Sequence, residues 1–308
     1  MYKIKLVQEN SKVGDIRGNL DLAKSHIAQA VSEKIDLVVF SEMFLTGYPP
    51  EDLLLREDFL SKSEKLALEL EELSKEISVI IGCPAKEDGY IFNSALFFQK
   101  GKLIEKYKKQ ILPNYKEFDE KRYFKRGESH KVFEDKGFKF GISICEDIWD
   151  KDFAKELFGR DIDLLLNLSA SPYTIDKKNL REKMLCEYFA KFKKPIVYVN
   201  QVGGQDELVF DGSSLIIDSK DSVRRLKSFE IDETIIEFGK KGISTTLQKE
   251  KISNVGDVAD IYQALVLGTR DYVIKNNFKG ILIGSSGGID SALTATIASD
   301  ALGPEKVN

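Results

Sequence analysis

Residues 138–150 read "FKFGISICEDIWD". The first seven residues form an apolar strand pattern, and Cys145 stands where that pattern ends. Strand ends are where open α/β sheets gather functional groups. The neighbours are unusual for a reactive thiol. Glu146 and Asp147 follow at once, whereas positive groups or a helix N-terminus favour a thiolate. A packing role is the plain alternative, because free cysteine is among the most buried residue types. Two adjacent acids speak against a fully apolar site, where uncompensated charge is costly. Either Cys145 is inert, or residues distant in sequence activate it.

Strand and helix patterns alternate around this stretch. Residues 3–8, "KIKLVQ", alternate as a half-buried strand does, and residues 15–34 carry Ile16, Leu20, Ala23, Ile27, Ala30 and Val31 at helical spacing. "IDLVVFSE" (35–42) reads as a buried strand ending in an acid, and "ISVIIGCP" (77–84) as another. Residues 51–76 read as one long helix, polar on one face. "IFNSALFFQKGKLIEKYKK" predicts a hairpin turning at Lys100-Gly101. Residues 162–170, 194–201 and 212–218 supply further strands, with helices expected over 150–159 and 177–193. Hairpins mixed with strand–helix alternation predict a layered α/β fold with mixed sheets.

Composition narrows the class. The chain has 308 residues, room for one large or two smaller domains at about 100–200 residues each. It is 42% hydrophobic and 31% charged, with net charge −4, so no general affinity for nucleic acid or anionic membrane is implied. No apolar run approaches the roughly 18 residues of a spanning helix, and "MYKIKLVQEN" reads as a strand rather than a secretion signal. Three cysteines without paired spacing predict a reducing compartment, the cytoplasm. His26 and His130 are the only histidines, and no CxxC or HxxxH spacing occurs, which argues against zinc. A Cys–His pair would have to use one of these two, and "GESHKVF" around His130 lends it little support. Cys83 and Cys186 read as packing residues.

Composition shifts near 240–257, and a helical pattern runs from Val258 to about Asn276. Then comes "GILIGSSGGIDSALTATIASDALG" (280–303): strand, Gly/Ser loop, helix. One strand and one helix cannot bury a core. The chain is therefore expected to be part of a longer one, divided into 1–245 and 246–308. Glycines in the loop let backbone N–H groups approach phosphate oxygens, and the helix beginning near Asp290 adds its positive end. No Lys follows the glycines, so the loop is not a Walker A motif.

Two more segments carry chemistry. Glu42 ends an apolar run in "FSEMFLTGYP", and Lys109 in "KKQILPNY" precedes a turn at Pro113-Asn114. Alone, Glu42 reads equally as an exit to solvent or a functional acid, and Lys109 reads as a solvated charge. With Cys145 they resemble the nitrilase, or carbon–nitrogen hydrolase, superfamily over roughly the first 240 residues. The resemblance implies a four-layer αββα sandwich in which the three side chains meet. It implies Cys145 as nucleophile on a carboxamide carbon, Glu42 as general base, and Lys109 with a backbone N–H as holder of the oxyanion. It also implies a second glutamate, for which Glu120 in "FDEKRYF" matches best and Glu117 is the alternative.

"SGGIDS" resembles the pyrophosphate-binding loop of ATP pyrophosphatases, a Rossmann-like fold, through Ser286, Gly287, Gly288, Asp290 and Ser291. Asp290 would help hold magnesium. An amidase followed by such a loop resembles the glutamine-dependent NAD+ synthetase family. That implies glutamine hydrolysis without a cofactor. It further implies ATP- and Mg2+-dependent amidation of nicotinic acid adenine dinucleotide, in a homo-oligomer with no nucleic-acid or membrane partner. "NLSASPYTIDKKNLR" matches the family's glutamine-binding segment, with Ser171 and Arg181 at the substrate's amino-acid end and Tyr48 and Tyr115 nearby. Two alternatives stand beside this: a stand-alone ω-amidase, and a non-catalytic nucleotide-binding or assembly module.

Overall fold

The computed structural model describes residues 1–115, 118–240, 242–252 and 258–308. Glu117 lies outside them. The strands in chain order are β1 (Tyr2–Gln8), β2 (Leu37–Val39), β3 (Ser78–Glu87), β4 (Tyr90–Gln99), β5 (Lys102–Lys108), β6 (Val132–Asp135), β7 (Phe138–Ile144) and β8 (Leu164–Ser169). They continue as β9 (Ile196–Asn200), β10 (Val202–Gln205), β11 (Leu208–Asp211), β12 (Leu215–Ile217), β13 (Ser222–Arg225), β14 (Asp232–Gly239), β15 (Gly242–Ser244) and β16 (Glu250–Lys251). The helices are α1 (Ile16–Ser32), α2 (Glu57–Ala67), α3 (Leu70–Leu73), α4 (Glu120–Tyr123), α5 (Lys151–Phe158), α6 (Lys177–Phe192), α7 (Val258–Lys275) and α8 (Ile289–Leu302). No helix among the described residues is long and apolar enough to cross a membrane.

One sheet runs β15-β14-β1-β2-β3-β4-β5 and the other β16-β13-β12-β9-β8-β7-β6, with β10 and β11 a separate hairpin. Strand alternation sets the layers. In β1, Tyr2, Ile4 and Leu6 join Phe140, Ile142 and Ile144 of β7 in the core between the sheets. Val7 faces the other way, into a second core with Ile16, Leu20 and Ile27 of α1. Phe153 and Leu157 of α5 and Leu185 of α6 cover the second sheet. The expected αββα sandwich is the observed architecture. Asp135 of β6 ties the sheets together, accepting hydrogen bonds from Tyr2 of β1, Ser78 of β3 and Gln99 of β4.

Three hairpins turn at Asp88-Gly89, Lys100-Gly101 and Lys136-Gly137, with positive φ at both residues of each turn. Two-residue turns of this kind match the twist of the strands and fix their register. β1, β2 and β3 are parallel, and the antiparallel steps β3–β4–β5 return β5 to the direction of β3. The residues after β2 and after β5 therefore leave the first sheet at the same end. In the second sheet β7, β8 and β9 are parallel, so their carboxyl ends also share an edge.

Two expectations are corrected. Residues 51–76 are not one helix but a 3-10 turn (Glu51–Leu55), α2 and α3. Arg56 adopts an extended conformation between the first two, and the break after α2 lets Leu66, Ala67 and Leu70 all reach the outer core. The strand expected before the Gly/Ser loop is only a parallel bridge, Ile281 to Val307. Leu282 is left exposed there, because a lone ladder has no layer to pack against. α7 docks on the β10–β11 hairpin. Asp271 accepts from the Gly204 N–H and Asn10 Nδ2, each at 2.7 Å, and Lys275 Nζ donates to the Gly204 carbonyl at 2.9 Å.

Gly82 of β3 carries the chain that follows β2. Its N–H donates to the Ser41 carbonyl at 3.2 Å, and its carbonyl accepts from Leu45 N–H at 3.2 Å. A Cβ at this position would stand 2.2 Å from the Met43 nitrogen and 2.4 Å from the Ser41 oxygen, both backbone atoms that cannot step aside. Gly82→Ala is therefore expected to cost about 1–3 kcal/mol in urea denaturation. It should also displace the loop that bears Glu42.

Candidate active site

Glu42 follows β2 and is fully buried. Three donors hold it. Lys109 Nζ lies 2.8 Å and Asn93 Nδ2 2.7 Å from Oε1, and the Ala170 N–H lies 2.8 Å from Oε2. Asn93 stands in β4, and its carbonyl accepts the Lys109 N–H at 2.9 Å. The same residue therefore fixes both partners. Lys109 follows β5, also buried, and its Nζ reaches Glu120 Oε1 at 2.8 Å. Glu120 opens α4 and accepts the Tyr48 hydroxyl at 2.9 Å. Lys109 is thus clasped between two carboxylates, one from each side.

Burial alone would push the Lys109 ammonium down, but the charges of Glu120 and Glu42 outweigh it and hold the amine well above its ordinary value. Lys109 is a fixed cation. Cys145 is 5% exposed and heads the 3-10 turn Cys145–Trp149 after β7. Burial pushes its thiol up and Glu42 adds to that, while Lys109 and then Lys177 pull it down. The balance keeps a neutral thiol at rest, within electrostatic reach of Glu42 and Lys109. The opening puzzle is resolved in physical terms: burial dominates, the distant charges of Glu42 and Lys109 come next, and the adjacent Glu146 does least.

A cleft of about 710 Å³ opens beside the turn, lined by Tyr115, Phe118, Glu146, Trp149, Lys177 and Leu180 among others. Tyr115 donates its hydroxyl to Glu146 Oε1 at 2.8 Å. Lys177 Nζ sits 5.3 Å from the Phe118 ring centroid. The cleft wall thus offers an acid and an amine beside the turn that Cys145 heads.

Other expected residues fall in different places. Tyr48 is buried against Glu120 rather than lining this cleft. Ser171 is buried, its N–H bound to Asn200 Oδ1 at 2.9 Å. Arg181, expected to clamp a substrate carboxylate, is 1% exposed. Its guanidinium pairs with Asp211 at 2.9 Å and lies over the Tyr198 ring. That pairing engages Nη2, while Nε has no hydrogen-bond partner among the described residues. His130 packs on Phe153 and pairs with Glu156 of α5. Cys83 and Cys186 are buried in the cores. Ser286, Gly287, Gly288 and Asp290 are exposed around the start of α8, and Ser291 is half-buried. The Ser286 and Ser291 hydroxyls are 3.3 Å apart, and Gly287 has φ +80°. Among the described residues no group of three His, Cys, Asp or Glu side chains is placed to hold a metal.

Sequence reading missed Asn93, Asp147, Glu146 and Lys177. Asn93 was detectable as a polar residue inside the apolar run "IFNSALFF". Lys177 carried no signal, since charged residues are common throughout this chain, and Glu146 stood out only as an acid beside the thiol.

Burial pushes Glu120 up to about 7 from an ordinary 4.5, with Lys109 opposing and the Glu42 charge adding. A carboxyl raised in this way keeps its proton in the folded state where the unfolded chain has lost it. It therefore weakens the fold progressively as pH rises through about 4.5 to 7, and costs nothing below that window. Glu120→Gln removes this dependence. The Tm of the variant relative to the unchanged protein should climb between about pH 5 and pH 8, read by thermal denaturation across pH. A constant difference would contradict the assignment.

Residues 3–236 match the family model described as carbon-nitrogen hydrolase, and residues 261–308 match that of NAD synthase. The chain is 40% identical to a glutamine-dependent NAD(+) synthetase of Acinetobacter baylyi over 99% of its own length and 57% of that protein. It is 36% identical to one from Thermotoga maritima, covering 99% and 59%. It spans somewhat over half the length of these relatives. A glutamine-dependent NAD+ synthetase from Acinetobacter baumannii, solved with adenosine diphosphate, superposes with TM-score 0.93 at 41% identity, covering 100% of this chain and 58% of that one. An amidase of the nitrilase superfamily from Nesterenkonia shares the fold at TM-score 0.68 and 21% identity, over 76% of this chain and 89% of that one. With its sandwich, its buried Glu42–Lys109–Glu120 cluster and a family match over most of its length, the chain belongs to the carbon–nitrogen hydrolase family.

Proposed function

We propose that this chain hydrolyses the side-chain amide of glutamine and serves as the ammonia-producing part of a glutamine-dependent NAD+ synthetase. One observation carries the reading: a neutral thiol lies beside a buried acid–amine–acid cluster, and the next residue, Glu146, lines a cleft together with Lys177. An α-amino acid is a zwitterion. Glu146 suits its ammonium and Lys177 its carboxylate, which leaves the side-chain amide directed at Cys145. Lys177 joins Arg181 in the role first expected of Arg181 alone. Ser171 and Tyr115 stay within the same proposal as contacts at the amino-acid end.

The chemistry follows from the charges. Glu42 accepts the thiol proton as the Cys145 sulfur attacks the carboxamide carbon. The carbonyl oxygen becomes negative and is held by the Lys109 ammonium and a backbone N–H of the Cys145 turn. The C–N bond breaks, Glu42 returns the proton to the leaving nitrogen, and ammonia departs from a thioester. Water, deprotonated by Glu42, then releases glutamate and restores the thiol. Glu120, oriented by Tyr48, holds the far side of Lys109.

Residues 246–308 are proposed as the start of the synthetase unit, 1–245 being the amidase. The space where a Cβ would stand at Gly284 and Gly287 is open, and α8 begins directly after the loop. That geometry suits phosphate oxygens of ATP, bound through Ser286, Gly287, Gly288 and Ser291. Asp290 would help hold magnesium, whose charge would offset that of the phosphates. Nicotinic acid adenine dinucleotide is the proposed acceptor of the ammonia, and assembly into a homo-oligomer belongs to the same reading.

Glutamate and ammonia released from glutamine measure the activity. Cys145→Ala, folded by circular dichroism, should lower turnover by about three orders of magnitude or more. Normal turnover would remove Cys145 from the chemistry. Lys177→Ala should raise KM for glutamine by roughly 10- to 100-fold, as loss of a charged hydrogen bond does. It should slow hydrolysis of butyramide, which lacks the α-carboxylate, far less, through the lost pull of Lys177 on the thiol alone. A stand-alone ω-amidase would instead turn over succinamate-like amides at least as well as glutamine.

A further inference from the structure

We propose that Asp147 is a positioning residue that locks the Cys145 turn against the segment bearing Lys109, and so sets the distance between nucleophile and cation. The proposal rests on the reading of Cys145 as the nucleophile. Asp147 is fully buried and does not line the cleft. Its Oδ1 accepts the N–H groups of Gln110 at 2.9 Å and Ile111 at 2.8 Å. Its Oδ2 accepts the Tyr107 hydroxyl at 2.6 Å and the Ile144 N–H at 2.9 Å. A carboxylate has about four acceptor sites, and all four are filled.

The donors come from both sheets. Tyr107 belongs to β5, and Gln110 and Ile111 directly follow Lys109. Ile144 ends β7, directly before Cys145. One side chain therefore joins the strand end that delivers the amine to the strand end that delivers the thiol. From two residues beyond the cysteine, on a 3-10 turn, this carboxylate reaches both.

Backbone geometry at Cys145 gives independent support. Its φ is +42°, in the left-handed region that costs a residue with a Cβ roughly 1–2 kcal/mol. Such a conformation persists where its surroundings impose it. Asp147 holds the peptide just before the cysteine, and the turn just after it returns that same carboxylate. Burial pushes Asp147 up to about 6, while Tyr107 and the Ile111 and Ile144 N–H groups pull it back. An acceptor-only group serves four donors that no apolar residue could satisfy.

Asp147→Asn keeps the shape but replaces one acceptor oxygen with an NH2 that faces donors. Tyr107→Phe deletes a single bond. Two measurements on the full chain read the effect: glutamine kinetics per titratable thiol, and the rate at which iodoacetamide labels Cys145, followed by mass spectrometry with Cys83 and Cys186 as internal controls. For Asp147→Asn we expect kcat to fall about 100-fold, the scale of a misplacement near 1 Å. KM should stay within about threefold, and labelling of Cys145 should slow in parallel. Tyr107→Phe should show both losses in smaller measure, about three- to tenfold, on the scale of one hydrogen bond. A purely structural role would lower Tm and the folded fraction but leave both rates per folded site intact. That outcome overturns the proposal, in Asp147→Asn or, should that variant not fold, in Tyr107→Phe. If the unchanged chain hydrolyses no glutamine, the glutaminase reading fails, while the labelling rates still decide the role of Asp147.

Discussion

The ammonium of Lys109 held between the carboxylates of Glu42 and Glu120 is the interaction on which this structure turns. Burying an ion pair gains little net stability, because desolvation offsets the attraction, whereas removing one partner leaves a stranded charge that is strongly destabilising. Here three ionisable groups share one dry site. Neutral donors make this tolerable: Asn93 and the Ala170 N–H on Glu42, and Tyr48 on Glu120. The cluster is a cost carried by the fold, and the two apolar cores on either face of the first sheet are what offset it.

Sheet topology delivers the cluster. Glu42 and Lys109 leave the first sheet at the same end because two hairpin reversals restore the direction of β5 to that of β3. Those reversals depend on turns whose residues both take positive φ. Cys145 comes from the carboxyl end of β7 in the opposite sheet. The sandwich interface therefore runs directly beneath the site, and anything that shifts one sheet over the other changes the separation of thiol and amine. Asp147, with ligands from both sheets, and Asp135, bridging them elsewhere, resist that motion. The Tyr48 ring meets Phe210, which lies on the hairpin where α7 docks.

Much of the fold was legible along the chain. Alternation in β1, the run of buried residues in β8, and the helical spacing of α1 and α6 each report a face buried by the local pattern alone. Short polar strands such as β13 and β16, and the interruption at Arg56, left no such trace, because their conformation is set by what they pack against. The meeting of Glu42, Lys109 and Glu120 was expected only through family likeness. No spacing rule brings residues 42, 109 and 120 together.

Sequence by itself determined the layered α/β architecture, the strand-end placing of Glu42 and Cys145, and a Gly/Ser loop before a helix. Those are local properties, written in periods of two and 3.6 residues. Tertiary structure alone decided which charges are shared. It gave Arg181 to Asp211 and set Lys177 on the cleft wall. It also made Asp147, an apparently hostile neighbour of the thiol, an internal ligand for four backbone and hydroxyl donors. The reason is physical: the energy of a charge depends on burial and on partners a few ångströms away, and neither is encoded in the adjacent residues.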